Sequence, residues 1–178
     1  MERFLILNAN ASLSFFRVES CLPIETICIG RSITDSHFFY MYSCLFLVLH
    51  VSLPFDNFTM GVLKALNMVP TQLHPNTLAS IQAFCLICDV LCLYPTPSCF
   101  LSYYTSHPIK LVLWHSLISQ LDNIFFSSFT TSYKKFKERF FKVYVRPEAM
   151  PYFFDEASWL RFPKSWTGKP QKFKEWPR

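Results

Sequence analysis

The first regular stretch of apolar positions begins at Asp56, which is a favourable helix N-cap. The apolar residues that follow recur at the three- and four-residue spacing of an amphipathic helix, and Pro70 ends the pattern. Asn76 then caps a second helix, which the same spacing extends to about residue 93. The apolar positions of the first helix are Phe58, Val62, Leu63 and Leu66.

The second half of the chain shows shorter apolar runs of a different kind. Residues 110–118 are almost continuously apolar and rich in β-formers, which favours a strand. The spacing within 128–141 predicts a short helix, and 140–145 then alternate as a strand. The predicted fold class is therefore α+β, mainly helical, with a helical half (56–93) packed on a small antiparallel sheet.

The pattern divides the chain into three parts. Residues 1–53 are poorly patterned and irregular, 54–160 form the predicted domain, and 161–178 are a basic, aromatic, proline-broken tail. Residues 36–55 contain no Asp, Glu, Lys or Arg, and their length matches a membrane-spanning helix. Asp35 and Asp56 flank this stretch. Interspersed histidines, serines and Pro54 weaken that interpretation, and a membrane anchor stays an alternative.

Composition excludes several classes of protein and leaves an uneven charge. The 178 residues are 51% hydrophobic and 18% aromatic, so the chain has enough apolar surface to exclude intrinsic disorder over most of its length. Residues 1–89 carry a net charge of −2, whereas 90–178 hold thirteen Lys and Arg against six Asp and Glu. A basic half favours an acidic partner such as nucleic acid or anionic lipid, or else a solvated surface.

Residues that carry chemistry do not form a catalytic pattern. Seven cysteines, an odd number, without a secretory signal favour a reducing compartment, either cytoplasmic or nuclear. The pattern Cys85-x-x-Cys88 lies in mid-helix, which favours buried thiols over a zinc or redox site. The five histidines are dispersed, and no phosphate loop or nucleophile motif is present. We therefore predict no enzymatic activity, no cofactor and no metal.

Residues 133–146 interleave cations with aromatic side chains. Cations neutralise phosphates and aromatic faces stack on unpaired bases, so the mixture is typical of a single-strand binder. The helical spacing of Tyr133, Phe136 and Phe140 instead favours a core role for those rings, and tail aromatics such as Trp166 are better candidates. The predicted nucleic-acid-binding residues are Lys134, Lys135, Lys137, Arg139, Lys142, Lys164, Lys169, Lys172 and Lys174.

Three segments of the chain resemble a known family. LKALNMVPTQLHPNTLASIQAF at 63–84, SYKKFKERFFKV at 132–143 and FPKSWT at 162–167 resemble the plant gypsy-type transposon domain of retroelement gag-like proteins. The resemblance covers residues 56–170 in the right order and departs at Leu78, where the family usually has Trp. It implies self-association or packaging of nucleic acid, and it supplies no catalytic residues.

The sequence thus predicts a non-enzymatic, retrotransposon-derived gag-like domain that makes protein–protein contacts and binds nucleic acid weakly and non-specifically. Protease and polymerase motifs are missing from the sequence, which agrees with this prediction. Two alternatives remain: a small membrane-associated protein anchored by residues 36–55, and a decayed fragment without function.

Overall fold

The structure, a computed structural model, describes residues 15–22, 25, 27, 38–109, 114–119, 133, 136–157, 159–163 and 166. Its fold is mixed α+β. The strands are β1 (Phe16–Ser20), β2 (Phe38–Tyr42), β3 (Tyr104–Ile109), β4 (Trp114–Ser119) and β5 (Phe140–Val145). The helices are α1 (Ser43–Leu47), α2 (Asn57–Leu66), α3 (Pro75–Val90), α4 (Pro97–Ser102) and α5 (Met150–Phe153). Single turns of 3-10 helix lie at Pro70–Gln72, Phe136–Glu138 and Pro147–Ala149.

Helix α2 forms where the sequence predicts it. The Asp56 carboxylate accepts a hydrogen bond from the Thr59 N–H at 2.5 Å, which confirms the predicted cap. The four predicted apolar positions are all buried. The helix ends earlier than expected, before Pro70, because Asn67 adopts a left-handed conformation with φ of 52° and closes the last turn.

Helix α3 begins earlier than the predicted cap. His74 is the N-cap, and its Nδ1 accepts a hydrogen bond from the Asn76 N–H at 3.2 Å. Pro75 occupies the first helical position, where its missing N–H needs no partner. The prediction that Asn76 caps this helix is therefore wrong, since Asn76 already lies inside the first turn.

The sequence spacing predicts one apolar stripe on α3, and the structure confirms it for only part of its length. Its predicted members are Leu78, Ile81, Cys85, Cys88 and Cys92. Leu78 and Ile81 are buried, as is Cys88, whereas Cys85 is half-buried. The helix ends before Cys92, which is exposed and has a positive φ. The last predicted member of the stripe therefore does not belong to the helix.

The strands of the described residues form two antiparallel sheets. Strands β3 and β4 pair in one, and the other has the order β1-β5-β2, with β5 in the centre. The predicted strand at 140–145 is confirmed, and so is a strand within 110–118, although β4 starts only at Trp114 in the described residues. Phe141, Val143 and Val145 of β5 point into the core. The intervening side chains of β5 lie on the opposite face and are half-buried.

The prediction of a helix over 128–141 is wrong in the described part of that segment. Phe136–Glu138 form one 3-10 turn, and strand β5 follows. The ring of Phe136 packs edge-on against Tyr42 at 5.2 Å, and that of Phe140 packs against Tyr40 at 5.8 Å. The four-residue spacing of the two rings therefore reflects two partners on β2 rather than one face of a helix.

Residues on both sides of position 53 contribute to one hydrophobic core. Phe39, Met41 and Leu45, from the segment considered as a membrane anchor, are all buried in the same cluster as the side chains of α2 and α3. Strand β2 and the single short helix α1 occupy the centre of that segment. In the part of the chain that the structure describes, no helix has the length and apolarity that crossing a bilayer requires.

The beginning of the predicted irregular tail also belongs to the core. Phe162 is 2% exposed, and its ring packs edge-on against Phe39 at 5.3 Å. Trp166 is buried, and its Nε1–H donates a hydrogen bond to the Thr71 Oγ1 at 2.9 Å. The sequence pattern favours Trp166 for base stacking because no core element is predicted to bury it, and that premise is wrong. Burial of its large ring is favourable, and its polar atom finds a partner.

Candidate nucleic-acid interface

Two predicted cations lie at the start of the central strand. Lys137 is in the 3-10 turn Phe136–Glu138, Arg139 links that turn to β5, and both side chains are exposed. The backbone of this link is fixed, because the Arg139 carbonyl accepts a hydrogen bond from the Ser43 N–H at 2.9 Å. The turn and the link therefore present two cations from a defined position, and Glu138 lies between them in the sequence.

Lys142 lies in the middle of β5 and is paired with a carboxylate. Its Nζ contacts the carboxylate of Glu25, which also accepts a hydrogen bond from the Leu22 N–H at 2.8 Å. The two side chains are 13% and 24% exposed. Hydrogen bonding to Lys142 lowers the pKa of Glu25, and the same bond raises the pKa of Lys142. Lys142 is therefore mainly a structural cation that joins β5 to the segment after β1.

The side of the three-stranded sheet that faces away from the core carries rings and charges, and we name it the sheet outer face. Register places Arg17 opposite Tyr144 and Phe38 on the other side of Tyr144, so the three side chains form one row. The Arg17 guanidinium lies 4.2 Å from the centroid of the Tyr144 ring. The members of the sheet outer face are Arg17, Glu19, Phe38, Tyr40, Tyr42, Phe140, Lys142 and Tyr144, of which Tyr42 is buried.

A cleft of about 390 Å³ opens beside the start of β5. Arg139 and Phe140 line one part of it, and Cys21, Glu25 and Glu138 line another. Burial and the nearby Glu25 carboxylate raise the pKa of the Cys21 thiol to about 11. At neutral pH this thiol is protonated and is a poor nucleophile.

The cysteines of the predicted apolar stripe behave in the same way. Burial, followed by the Asp56 carboxylate, raises the pKa of Cys85 to about 11. The Cys85 Sγ lies 3.8 Å from the Asp56 Oδ2, and burial also raises the pKa of Cys88. Among the described residues, no group of three or more His, Cys, Asp or Glu is arranged to hold a metal ion.

Two histidines lie at the junction of the helical half and the second sheet. The His74 N–H donates a hydrogen bond to the His115 carbonyl at 3.1 Å, and the Leu117 N–H donates one to Thr77 Oγ1 at 3.4 Å. Burial lowers the pKa of both imidazoles, and Lys137 contributes to the shift at His74. Both rings are therefore mainly neutral at neutral pH. A neutral His74 is what the cap on α3 requires, because its Nδ1 must accept a hydrogen bond.

The structure brings together only some of the predicted cations. Lys137 and Arg139 lie two positions apart just before β5, and Lys142 lies within β5. The remaining predicted residues, Lys134, Lys135, Lys164, Lys169, Lys172 and Lys174, lie outside the described residues.

Sequence reasoning missed the N-terminal contribution to this surface. Arg17 and Phe38 come from the poorly patterned segment 1–53. Tyr144 belongs to the predicted strand 140–145, but the face of that strand opposite the core was not considered. The alternation of Phe140, Lys142 and Tyr144 was a usable signal for a polar and aromatic face. The pairing of β1 and β2 with β5 left no comparable local signal.

In comparisons with protein families, curated proteins and solved structures, nothing matches the chain.

Proposed function

We propose that this chain is a non-enzymatic, retrotransposon-derived gag-like module that binds nucleic acid weakly and non-specifically. The observation that carries the proposal is the fixed turn before β5, which holds Lys137 and Arg139 exposed. The charge of the second half of the chain, thirteen cations against six carboxylates, supports the same partner.

Salt dependence of binding tests this proposal. Fluorescence anisotropy with a labelled duplex should give an affinity that falls as salt rises, because bound phosphates release counterions. Replacement of Lys137 and Arg139 by Gln should lower the salt slope by about 1 for each phosphate that is no longer neutralised. Lys64→Gln, an exposed cation on α2, is the matched control and should leave the slope unchanged. An affinity that is independent of salt would contradict phosphate binding.

The absence of an enzymatic activity is part of the proposal. With respect to catalysis by a cysteine nucleophile at these positions, the proposal is supported by the thiols of Cys21, Cys44 and Cys85. Burial is the main cause that raises the pKa of each thiol to about 11. Cysteine nucleophiles work in the opposite direction, with a lowered pKa.

Self-association is a further part of the proposal. The end of α3 and the turn after it expose apolar side chains, and exposed patches of this kind favour protein contacts. Light scattering of the purified chain over a range of concentrations tests this, and Val90→Lys should reduce any association. Ala157→Lys, at another exposed position, is the control. The exposed apolar residues are Leu86, Val90, Leu91, Leu93 and Tyr94.

We also propose that the helical half supports the sheets, which makes the fold mainly helical in its organisation. The 3-10 turn Pro70–Gln72 contacts β2, and α3 contacts β4 and α1. These contacts support the proposed packing of the helical half against the sheets.

Two alternatives have their own tests. Peripheral membrane association through residues 36–55 is favoured by the exposed Leu47 and Val48, and flotation with anionic vesicles would detect it. A decayed fragment would lack a cooperative thermal transition, whereas the buried core predicts one. The full chain should be used, since β1 and β2 pair with β5.

A further inference from the structure

The sheet outer face places three half-buried rings on neighbouring positions of an antiparallel sheet. Phe140 and Tyr144 alternate with Lys142 along β5, and Phe38 lies opposite Tyr144 on β2. The Phe38 and Tyr144 ring centroids are 5.0 Å apart at an angle of 49°, and both residues remain partly exposed. In one common RNA-binding module, aromatic side chains on the face of a four-stranded sheet stack two or three bases.

The charges on this surface favour one class of ligand. Arg17 lies over Tyr144 and is 59% exposed, and its contact with the Glu19 carboxylate is long, at 3.6 Å. Lys142 is neutralised by Glu25, so the face offers few cations for a dense row of phosphates. A duplex, which hides its bases and relies on phosphate contacts, fits such a face poorly. A single strand exposes bases for the rings and needs fewer phosphate contacts.

We propose that the sheet outer face binds single-stranded nucleic acid. One unpaired base replaces the Arg17 guanidinium on the Tyr144 ring, and further bases stack on Phe38 and Phe140. The displaced guanidinium, which is largely exposed, contacts the phosphate between neighbouring bases. This inference rests on the proposed nucleic-acid-binding function, and it assigns the ligand class and the surface.

The experiment uses the full chain and two labelled probes. One probe is an oligodeoxythymidine of about 12 nucleotides, a length within the usual site sizes of single-strand binders, and the other is a duplex of the same length. We expect tighter binding of the single strand. Tyr144→Leu should weaken that binding about tenfold, which corresponds to the loss of one stacked base, and leave the salt slope unchanged. Tyr144→Phe, which keeps the ring, should bind like the wild type. Trp159→Leu, at a side chain 72% exposed and outside this sheet, is the control.

A second measurement covers the case in which Tyr144→Leu does not fold. Ultraviolet crosslinking of the wild-type chain to a thiothymidine-containing single strand should give crosslinked peptides that contain Phe38, Phe140 or Tyr144. Crosslinks confined to other parts of the chain would overturn the inference.

The outcomes separate the two proposals. Salt-dependent binding with equal affinity for both probes, unchanged in Tyr144→Leu, would overturn the single-strand site and leave the proposed function intact. Failure of the wild type to bind either probe would overturn both. A Tyr144→Leu variant that loses self-association but keeps its affinity for the oligonucleotide would assign this face to a second copy and would also overturn the inference.

Discussion

The hydrogen bond between Trp166 and Thr71 gives a direct test of whether the beginning of the basic tail belongs to the fold. In Trp166→Phe the ring remains apolar, but the Nε1–H that donates to Thr71 Oγ1 at 2.9 Å is removed. Thr71 is 1% exposed, so water does not replace the missing donor. The substitution therefore removes one buried hydrogen bond and part of one buried ring.

The expected decrease in stability follows from these two changes. A buried hydrogen bond left half-made lowers the free energy of unfolding by about 1–3 kcal/mol. The smaller ring leaves a gap beside Thr71 that adds about 1–2 kcal/mol, which is at the lower end of the range for large-to-small core substitutions. For a chain of this length, a total of about 2–5 kcal/mol lowers the Tm by about 4–20 °C.

Urea unfolding followed by far-UV circular dichroism measures the effect without relying on tryptophan fluorescence. Trp159→Phe is the matched control: that side chain is 72% exposed, and we expect a change of less than about 0.5 kcal/mol. The double variant with Thr71→Val should be less destabilised than the sum of the single variants, because neither partner is then left unpaired. Equal stabilities for Trp166→Phe and Trp159→Phe would refute the placement of Trp166 in the core.

Three further predictions use the same unfolding assay. Glu25→Gln should lower the free energy of unfolding by about 1–3 kcal/mol, because Lys142 stays largely buried without its counter-charge; an unchanged stability would show that the pair is dispensable. The pKa of His74 is lowered in the fold, so its contribution to the free energy of unfolding is complete above its ordinary pKa of 6.5 and is lost as pH falls below that value. His74→Asn keeps a capping acceptor that does not titrate, so this variant should lose less stability on acidification. Identical pH profiles for the variant and the wild type would contradict this. Gly61→Ala places a Cβ 2.7 Å from the Pro97 Cγ, so it should destabilise the chain by about 1–3 kcal/mol although alanine favours helices; an increase in stability would show that α4 moves away freely.

Local signals in the sequence were sufficient for α2 and β5. Asp56 caps α2 through a residue three positions away, and the period-two pattern of 140–145 depends only on which face of the strand is buried. These signals lie within a few residues of one another, so a single sequence contains them completely.

Signals that depend on distant partners were misread. Phe136 and Phe140 have helical spacing, yet their partners are Tyr42 and Tyr40 on another strand. The uncharged run 36–55 suggested a membrane helix because β2 carries large aromatic or apolar side chains on both faces. A strand covered on both faces and a spanning helix look alike in a hydropathy profile.

The candidate site was predicted only in part, because some of its contacts also join residues that are distant in the sequence. The cations at Lys137, Arg139 and Lys142 were visible as a local cluster, and the first two are exposed. The neutralisation of Lys142 by Glu25 was not visible, because more than a hundred residues separate the two side chains in the sequence. The row that Arg17 forms with Tyr144 required the strand pairing itself.

The central position of β5 has a consequence for how the chain folds as it is made. Phe16 pairs with Val145 and Phe38 pairs with Tyr144, so both N-terminal strands leave the ribosome more than a hundred residues before their partner. During that interval, β2 has no partner strand. Its aromatic side chains and the backbone N–H and C=O groups along its edges are therefore exposed to other chains. Sequence-distant pairing of this kind slows folding, because a long loop must close before the contacts form. We therefore expect the newly made chain to depend on holding chaperones until β5 emerges.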